Sequence, residues 1–343
     1  MQVKILNPND YPHWDAQIQA LDGATIFHTT AWAKVLSETY GYLPTYFTAL
    51  QDGQVAGFLP IMDVKSFITG RRGVSLPFSD ESHPVCKSLE AFNLIWQRAI
   101  EYGQKAKWKH IELRGGHPAY ESEPEYDSFL VHTLDLPGSE QLLLSQFRSS
   151  TKRNIKKAVQ SGVKVKKSHS LESMKAFYQL NCRTRKKHGL PPQPFKFFLK
   201  LHAHIIATKM GFTLLALHAD TIIAAAVYLQ FGPEVLYKFG ASNDKYQHLR
   251  ANNLLMWEAI RSASQDGSKH FDFGRTEREN SGLLQFKRGW GAIEESLKYY
   301  RYDMTKTKFS AKAPKLKTSY PLFKMLPMPL LKLSGKILYR HVA

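Results

Sequence analysis

The stretch Leu283–Gly291, LLQFKRGWG, sets Phe286 beside Lys287, just after a strand-like HFDFGRT and just before a second strand-like run. A lysine held there by flanking strands can turn its charge toward a reaction centre and stabilise an oxyanion developing in a transition state. The same spacing also describes a short amphipathic helix, with Leu283, Leu284 and Phe286 inward and Lys287 and Arg288 solvated, the ordinary condition of lysine. Asp80 in PFSD and Asp272 in FDFG have the chemistry of general bases, and equally that of a turn cap and a strand-end aspartate. His202 and His204 have the spacing of neither HExxH nor a helical i, i+4 pair, so no metal is assigned. Cys86 and Cys182 lack CxxC or ligand spacing, which argues against a disulfide framework or a zinc site. The chain carries no GxSxG elbow, Walker A sequence or GxGxxG fingerprint.

A chain of 343 residues with 43% hydrophobic composition can bury a substantial core and suggests two domains. Its net charge of +18 is concentrated in two patches. Between Arg148 and Lys200 there are 15 Lys/Arg against one acid, Glu172, and from Met304 to Ala343 there are nine Lys/Arg and no acid. Such patches suit a polyanion, whether nucleic acid, anionic membrane or a diphosphate-bearing substrate, and also suit plain solvated helix faces. The N-terminus lacks the pattern of a signal peptide, and there is no apolar run of the ~18 residues that a membrane span needs, so a cytoplasmic protein is expected. The tail Ser319–Ala343 mixes apolar residues with Lys324, Lys332, Lys336 and Arg340, while Pro321, Pro327 and Pro329 interrupt it. That composition fits a peripheral anchor at the inner face of a membrane, or a segment packed back on the first domain.

The elements around these residues recur in one order. Helices near Tyr11–Leu21 and Thr30–Tyr40 precede a hairpin turning at Asp52–Gly53, a strand near Gly73–Leu76, a helix over Leu89–Lys107 and the strand HIELR. Helices near Leu171–His188 and Phe195–Lys209 precede a hairpin turning near Asp220, the strand EVLYKFGAS, a helix over Ala251–Ser264, the strand HFDFG, the FKRGWG segment and the strand LKYYRYD. This is the order of the Gcn5-related N-acetyltransferase (GNAT) superfamily, so the expected fold is α/β: tandem duplicated acetyltransferase-like domains at 1–145 and 146–303, mostly antiparallel mixed sheets flanked by helices, then a basic tail, 304–343. In that superfamily the acyl donor's phosphates sit at the N-terminus of the helix between the fourth and fifth strands, which corresponds here to Asn243–Asn253.

Within it the chain resembles the Fem family of aminoacyl and peptidyl transferases, through AWAKV at 31–35, the basic helix STKRNIKKAVQSGVKV at 150–165, RKKHG at 185–189, the strand–helix–strand 236–274, and Phe286–Lys287. The resemblance implies that Lys34 grips the phosphates of a nucleotide- or lipid-linked acceptor. It implies that Lys287, with Phe286 excluding water, stabilises transition-state charge or the 3′ end of the donor. Substrate contacts are further expected from Arg153 and Lys156 in the basic patch, from Arg250 at the start of the phosphate-site helix, and from Lys187, Tyr237 and Asn252. The donor would be an aminoacyl-tRNA or an acyl-coenzyme A, with no tightly bound cofactor. The acceptor would be an anionic peptidoglycan or exopolysaccharide precursor, the tail resembling those of exopolysaccharide-associated members. A non-catalytic binder of polyanions or of a membrane surface is the alternative from another class.

Overall fold

The computed structural model describes residues 1–312 and 321–342. It divides into two compact units: 1–129 with 297–318 and 337–343, and 130–296 with 319–336. Among the described residues no helix is long and apolar enough to cross a membrane.

In the first unit Gln2–Leu6 lies outside the antiparallel hairpin of Leu43–Gln51 and Gln54–Ser66, followed by Gly70–Val74. Asp52 and Gly53, with φ of 51° and 77°, make the turn, because the right-handed strand twist favours left-handed backbone at both turn positions. Gly70–Val74 pairs parallel with His110–Arg114, and residues 299–303 of the strand Ile293–Asp303 run antiparallel along the far side. The crossover helix Leu89–Lys105, capped by Ser88, buries Ala91, Phe92, Ile95 and Ala99 against Phe47, Leu59, Ile111 and Tyr300.

In the second unit residues 133–135 of Asp127–Asp135 pair antiparallel with His270–Asp272, which pairs parallel with Glu234–Ser242. The antiparallel series Thr221–Phe231, Gly211–His218 and Lys164–Ser168 completes the sheet. The helix Ala251–Gln265 joins the parallel pair and buries Leu254, Trp257 and Ile260 in a core shared with Phe147, Ala224 and Phe271. The parallel ladder ends at Leu236↔Asp272, so residues 237–242 run on without that partner.

The units divide differently from the expected 1–145 and 146–303. Residues 130–145 join the second unit because 133–135 complete its sheet, and residues from 297 join the first because 299–303 pair with His110–Arg114. The expected strand at Gly73–Leu76 stops at Val74, since Leu76 has a φ of 43°, incompatible with a ladder. The helix expected to reach Lys209 ends at Leu201, followed by a wider turn in which the Ala207 N–H meets the His202 carbonyl. FKRGWG lies between the expected strands, His270–Asp272 and Ile293–Asp303, and its first residues belong to the helix Ser281–Arg288, capped by Asn280.

Ser319, Tyr320 and Ala343 of the expected anchor lie outside the described residues. In the second unit Leu331 is buried, and Gly335 packs so closely on the Pro192 carbonyl that a Cβ would come within 2.0 Å of its oxygen. In the first unit the Tyr42 hydroxyl lies 3.2 Å from the Tyr339 carbonyl and 3.0 Å from that of Arg340, while Arg72 donates to the His341 carbonyl. The end of the tail therefore packs on the first unit, one of the two expected alternatives.

Candidate functional site

Two helices of the second unit begin at one cavity of about 460 Å³. The helix Ala251–Gln265 follows Arg250, which holds left-handed backbone with a φ of 58° and offers no side-chain cap. The helix Ser149–Gln160 follows Arg148, which likewise offers none. The first N–H groups of a helix lack intrahelical acceptors and carry the positive end of its dipole, so both ends favour an anion. Arg148 and Arg250 add full charges, and Thr151, Asn154, Tyr246, Gln247, Asn252 and Gln285 line the same space with polar groups.

The wall opposite is the segment around Phe286. Thr151 Oγ1 donates to the Gly289 carbonyl at 2.8 Å, and the Arg148 N–H donates to it at 3.0 Å. A Cβ on Gly289 would lie 2.6 Å from Thr151 Oγ1, so glycine permits this approach. Trp290 is fully buried, edge-on to Phe147 at 5.0 Å and to Phe286 at 5.8 Å. Phe286 lines this cavity and a smaller apolar one of about 120 Å³, which it shares with Asn252, Tyr237 and Leu255. The smaller cavity lies where the parallel strands part. Burial raises the Tyr237 phenol to about 12, and the bare Cα of Gly240 makes room for its ring.

Lys287 is the departure from ordinary helix chemistry. Expected to be solvated if helical, it is 1% exposed, and its ammonium donates to the carbonyls of Gly274 and Arg275. Behind it lies His132, fully buried, with Nε2 2.8 Å from Glu294 Oε2. Arg288 clasps both oxygens of that carboxylate at 2.6 and 2.7 Å, and these hydrogen bonds hold Glu294 below the usual carboxylate range. Burial, and then the charge of Lys287, push His132 below the ordinary imidazole value. Asp272 accepts from the Gly274 N–H at 2.7 Å and so shapes the turn that supplies the acceptor for Lys287.

Of the residues singled out from sequence, the structure brings Phe286, Arg250, Asn252 and Tyr237 together around the two cavities. Lys287 follows Phe286, but its ammonium points to the carbonyls named above and lines neither cavity. Arg153 and Lys156 lie exposed on the helix whose first turn lines the larger cavity. Lys187 is exposed and not among the lining residues, but it lies 2.9 Å from Asp244, the neighbour of the lining residue Asn243. Lys34 lies half-buried on the helix Thr30–Tyr40 of the first unit. The segment Asn243–Asn253 does contribute lining, through Asn243, Tyr246, Gln247 and Arg250. Thr151, Asn154 and Gln285 were missed as site residues; the available signal was the unprotected start of the basic helix, read only as part of a charged patch.

Residues 145–288 match the family described as acetyltransferase (GNAT) domain. A lipid II:glycine glycyltransferase of Staphylococcus haemolyticus is 33% identical over 97 residues, which cover 26% of this chain and 23% of that protein. The corresponding protein of Staphylococcus saprophyticus is 28% identical over 98 residues, 26% of this chain and 24% of its own. The match thus spans about a quarter of the length of these curated relatives. Among solved structures, FemX superposes with a TM-score of 0.70 at 15% identity, covering 87% of this chain and 97% of its own. A tandem GNAT protein from the clavulanic acid biosynthesis pathway does so at 0.56 and 10% identity, covering 88% and 99%. At these identities the two structures speak for the fold.

Proposed function

We propose that this chain, a Fem-like member of the GNAT superfamily, transfers an aminoacyl group from an aminoacyl-tRNA to an amine of an anionic, lipid- or nucleotide-linked cell-envelope precursor. The observation that carries the reading is the convergence of two uncapped helix N-termini, Arg148 and Arg250 on one cavity inside the matched acetyltransferase domain. An anionic donor end is the ligand such a site selects. Lys152, Arg153, Lys156 and Lys157 continue outward, exposed, along one of those helices, which suits a donor whose phosphates extend beyond the cavity. The names of the glycyltransferase relatives support a peptidoglycan acceptor; the basic, proline-interrupted tail supports an exopolysaccharide one.

In the proposed reaction the neutral acceptor amine attacks the ester carbonyl, the new C–N bond forms, and the C–O bond to the tRNA ribose breaks. The amine's proton passes to the departing ribose oxygen. Phe286 shields the carbonyl from water, and Lys287, whose ammonium is held by the Gly274 and Arg275 carbonyls and lines neither cavity, favours the oxyanion through its buried positive charge at a distance and not as a hydrogen-bond donor. An activated ester requires no covalent enzyme intermediate. A second reading, acyl-coenzyme A as donor, draws on the stretch 237–242, which stays paired with Thr221–Phe231 on one edge and runs past the end of the parallel ladder on the other, the edge that would receive an amide-bearing arm.

The test incubates the full chain with tRNA charged with labelled amino acids and with lipid II or a polyprenyl-linked sugar. Label in the lipid fraction is the expected result. Transfer only from acyl-coenzyme A would move the assignment to the second reading, and tRNA binding without transfer from either donor would make the protein a polyanion binder.

A further inference from the structure

The first unit exposes an apolar cluster that neither the fold nor the proposed transfer uses. At the tip joining Gln54–Ser66 to Gly70–Val74, Phe67 is 86% and Ile68 56% exposed. Close by in the same unit, Val342 is 58% and Ile337 51% exposed. Phe67 meets the ring of His341 edge-on at 4.4 Å, so tip and chain end share one surface.

This surface is built rigidly. Ser66 Oγ accepts the N–H groups of Ile68 and Thr69 at 3.1 and 2.9 Å and lies 3.0 Å from His341 Nδ1. Thr69 Oγ1 and Arg72 donate to the His341 carbonyl at 3.1 and 2.9 Å. His341 is buried by these contacts, while Phe67, one residue from Ser66, points out. A rigid turn that holds a phenyl ring in water forgoes the burial an aromatic side chain normally gains in a core.

Cations flank the tip. Arg71 is ion-paired with Asp63 and Arg72 is buried on the His341 carbonyl, so the charge offered at the surface comes from other residues. Lys65 and Arg340 are exposed, and Lys109 is exposed alongside Gly70, where an added Cβ would fall 2.5 Å from its Cε. We propose that the tip Phe67–Ile68, with Ile337 and Val342, is a docking surface for an anionic lipid bilayer: the apolar side chains enter the headgroup boundary and the cations meet lipid phosphates. Charge complementarity selects lipid over a protein partner, since exposed Lys65, Lys109 and Arg340 beside a projecting aromatic suit a uniformly anionic plane without needing matched acidic residues. The inference stands independently of the transfer reading.

The test is flotation of the full chain with vesicles rich in phosphatidylglycerol, with pure phosphatidylcholine vesicles in parallel. The wild-type protein should float with the first and not the second, and added salt should weaken it. Phe67→Ser with Ile68→Ser, both at exposed positions, should keep the melting temperature and lower partitioning about tenfold or more. Lys65→Glu with Arg340→Glu, which keeps the apolar tip, should abolish the preference for phosphatidylglycerol. Absence of wild-type flotation on phosphatidylglycerol overturns the proposal, as does wild-type behaviour of the serine variant. So does a wild-type dimer in light scattering that the serine variant dissolves, which would assign the surface to a second copy.

Discussion

The two units build the same parallel strand pair around a crossover helix and then treat its open end in opposite ways. In the second unit pairing stops at Leu236↔Asp272 and the space beyond is a cavity under a helix N-terminus. In the first, Gly70–Val74 and His110–Arg114 stay joined past the last ladder pair. The Ser75 N–H donates to the Glu112 carbonyl, Ser75 Oγ accepts from the Arg114 N–H, and Ser82 bridges to Arg114. The Arg114 side chain turns onto the Leu76 and Ser79 carbonyls, and Glu112, buried between Arg114 and Arg301, is held below the usual carboxylate range against the opposing effect of its burial. One copy leaves a cavity at this end; the other fills the equivalent gap with its own ion network. Duplication of an element order therefore does not duplicate the site, and the charged residues of the two halves serve different ends.

The largest effect that sharpens this contrast is expected at Lys287. Lys287→Met should lower turnover by about 10²-fold or more while donor affinity stays near wild type, because the lost charge acts on the transition state. It should also cost some stability, since the Gly274 and Arg275 carbonyls lose a donor. Turnover close to wild type would make Lys287 a purely structural cation, like those of the first unit.

Glu112→Gln is the counterpart. Breaking a buried ion network by removing one partner leaves uncompensated charge, so unfolding free energy should fall by about 3 kcal/mol while donor binding changes less than about twofold. Chemical denaturation with a binding titration checks this. Loss of binding without loss of stability would contradict the division of labour.

Acid should separate the units more gently. His28 is buried with Nδ1 accepting from the Thr25 N–H at 2.9 Å and Nε2 3.2 Å from the His83 carbonyl, a geometry for neutral imidazole. Burial, then the neighbouring His83, lowers it from 6.5 to about 3, and burial, then Arg301, lowers His110 to about 4. A depressed folded-state pKa means that unfolding takes up protons, so stability is full above 6.5 and declines as pH falls toward these values. The first unit should melt earlier as pH drops through this window, and His28→Gln should flatten the dependence. A melting temperature unchanged down to about pH 4 would contradict the neutral assignment.

The sequence made much of this visible where local chemistry decides it. Both hairpins could be placed because Asp52–Gly53 and the turn at Asp220 supply the left-handed positions that tight turns need. Arg250 and Asn252 were reachable through the segment before a helix in a known order of elements. The edge strands Gln2–Leu6 and Lys164–Ser168 were not anticipated: KVKKS is charged as an exposed edge must be, and its pairing is decided by Gly211–His218, far along the chain. The burial of Lys287 was equally hidden, because periodicity gives a helix face and not which carbonyls a distant turn brings to it. Tyr246, Gln247 and Gln285 carry no charge and fit no motif, so only folding shows that they share a wall.

The central claim, that the cavity at two helix N-termini holds the anionic donor, is tested most directly by donor affinity in Arg148→Glu with Arg250→Glu. Arg250 is exposed, and Arg148 precedes its helix without capping it, so the fold should survive. Titration of the full chain with aminoacyl-tRNA, and separately with acyl-coenzyme A, should show affinity for the true donor reduced about tenfold or more, with a shallower salt dependence than wild type. Unchanged affinity for both donors, in a variant that melts as the wild type does, would contradict the account.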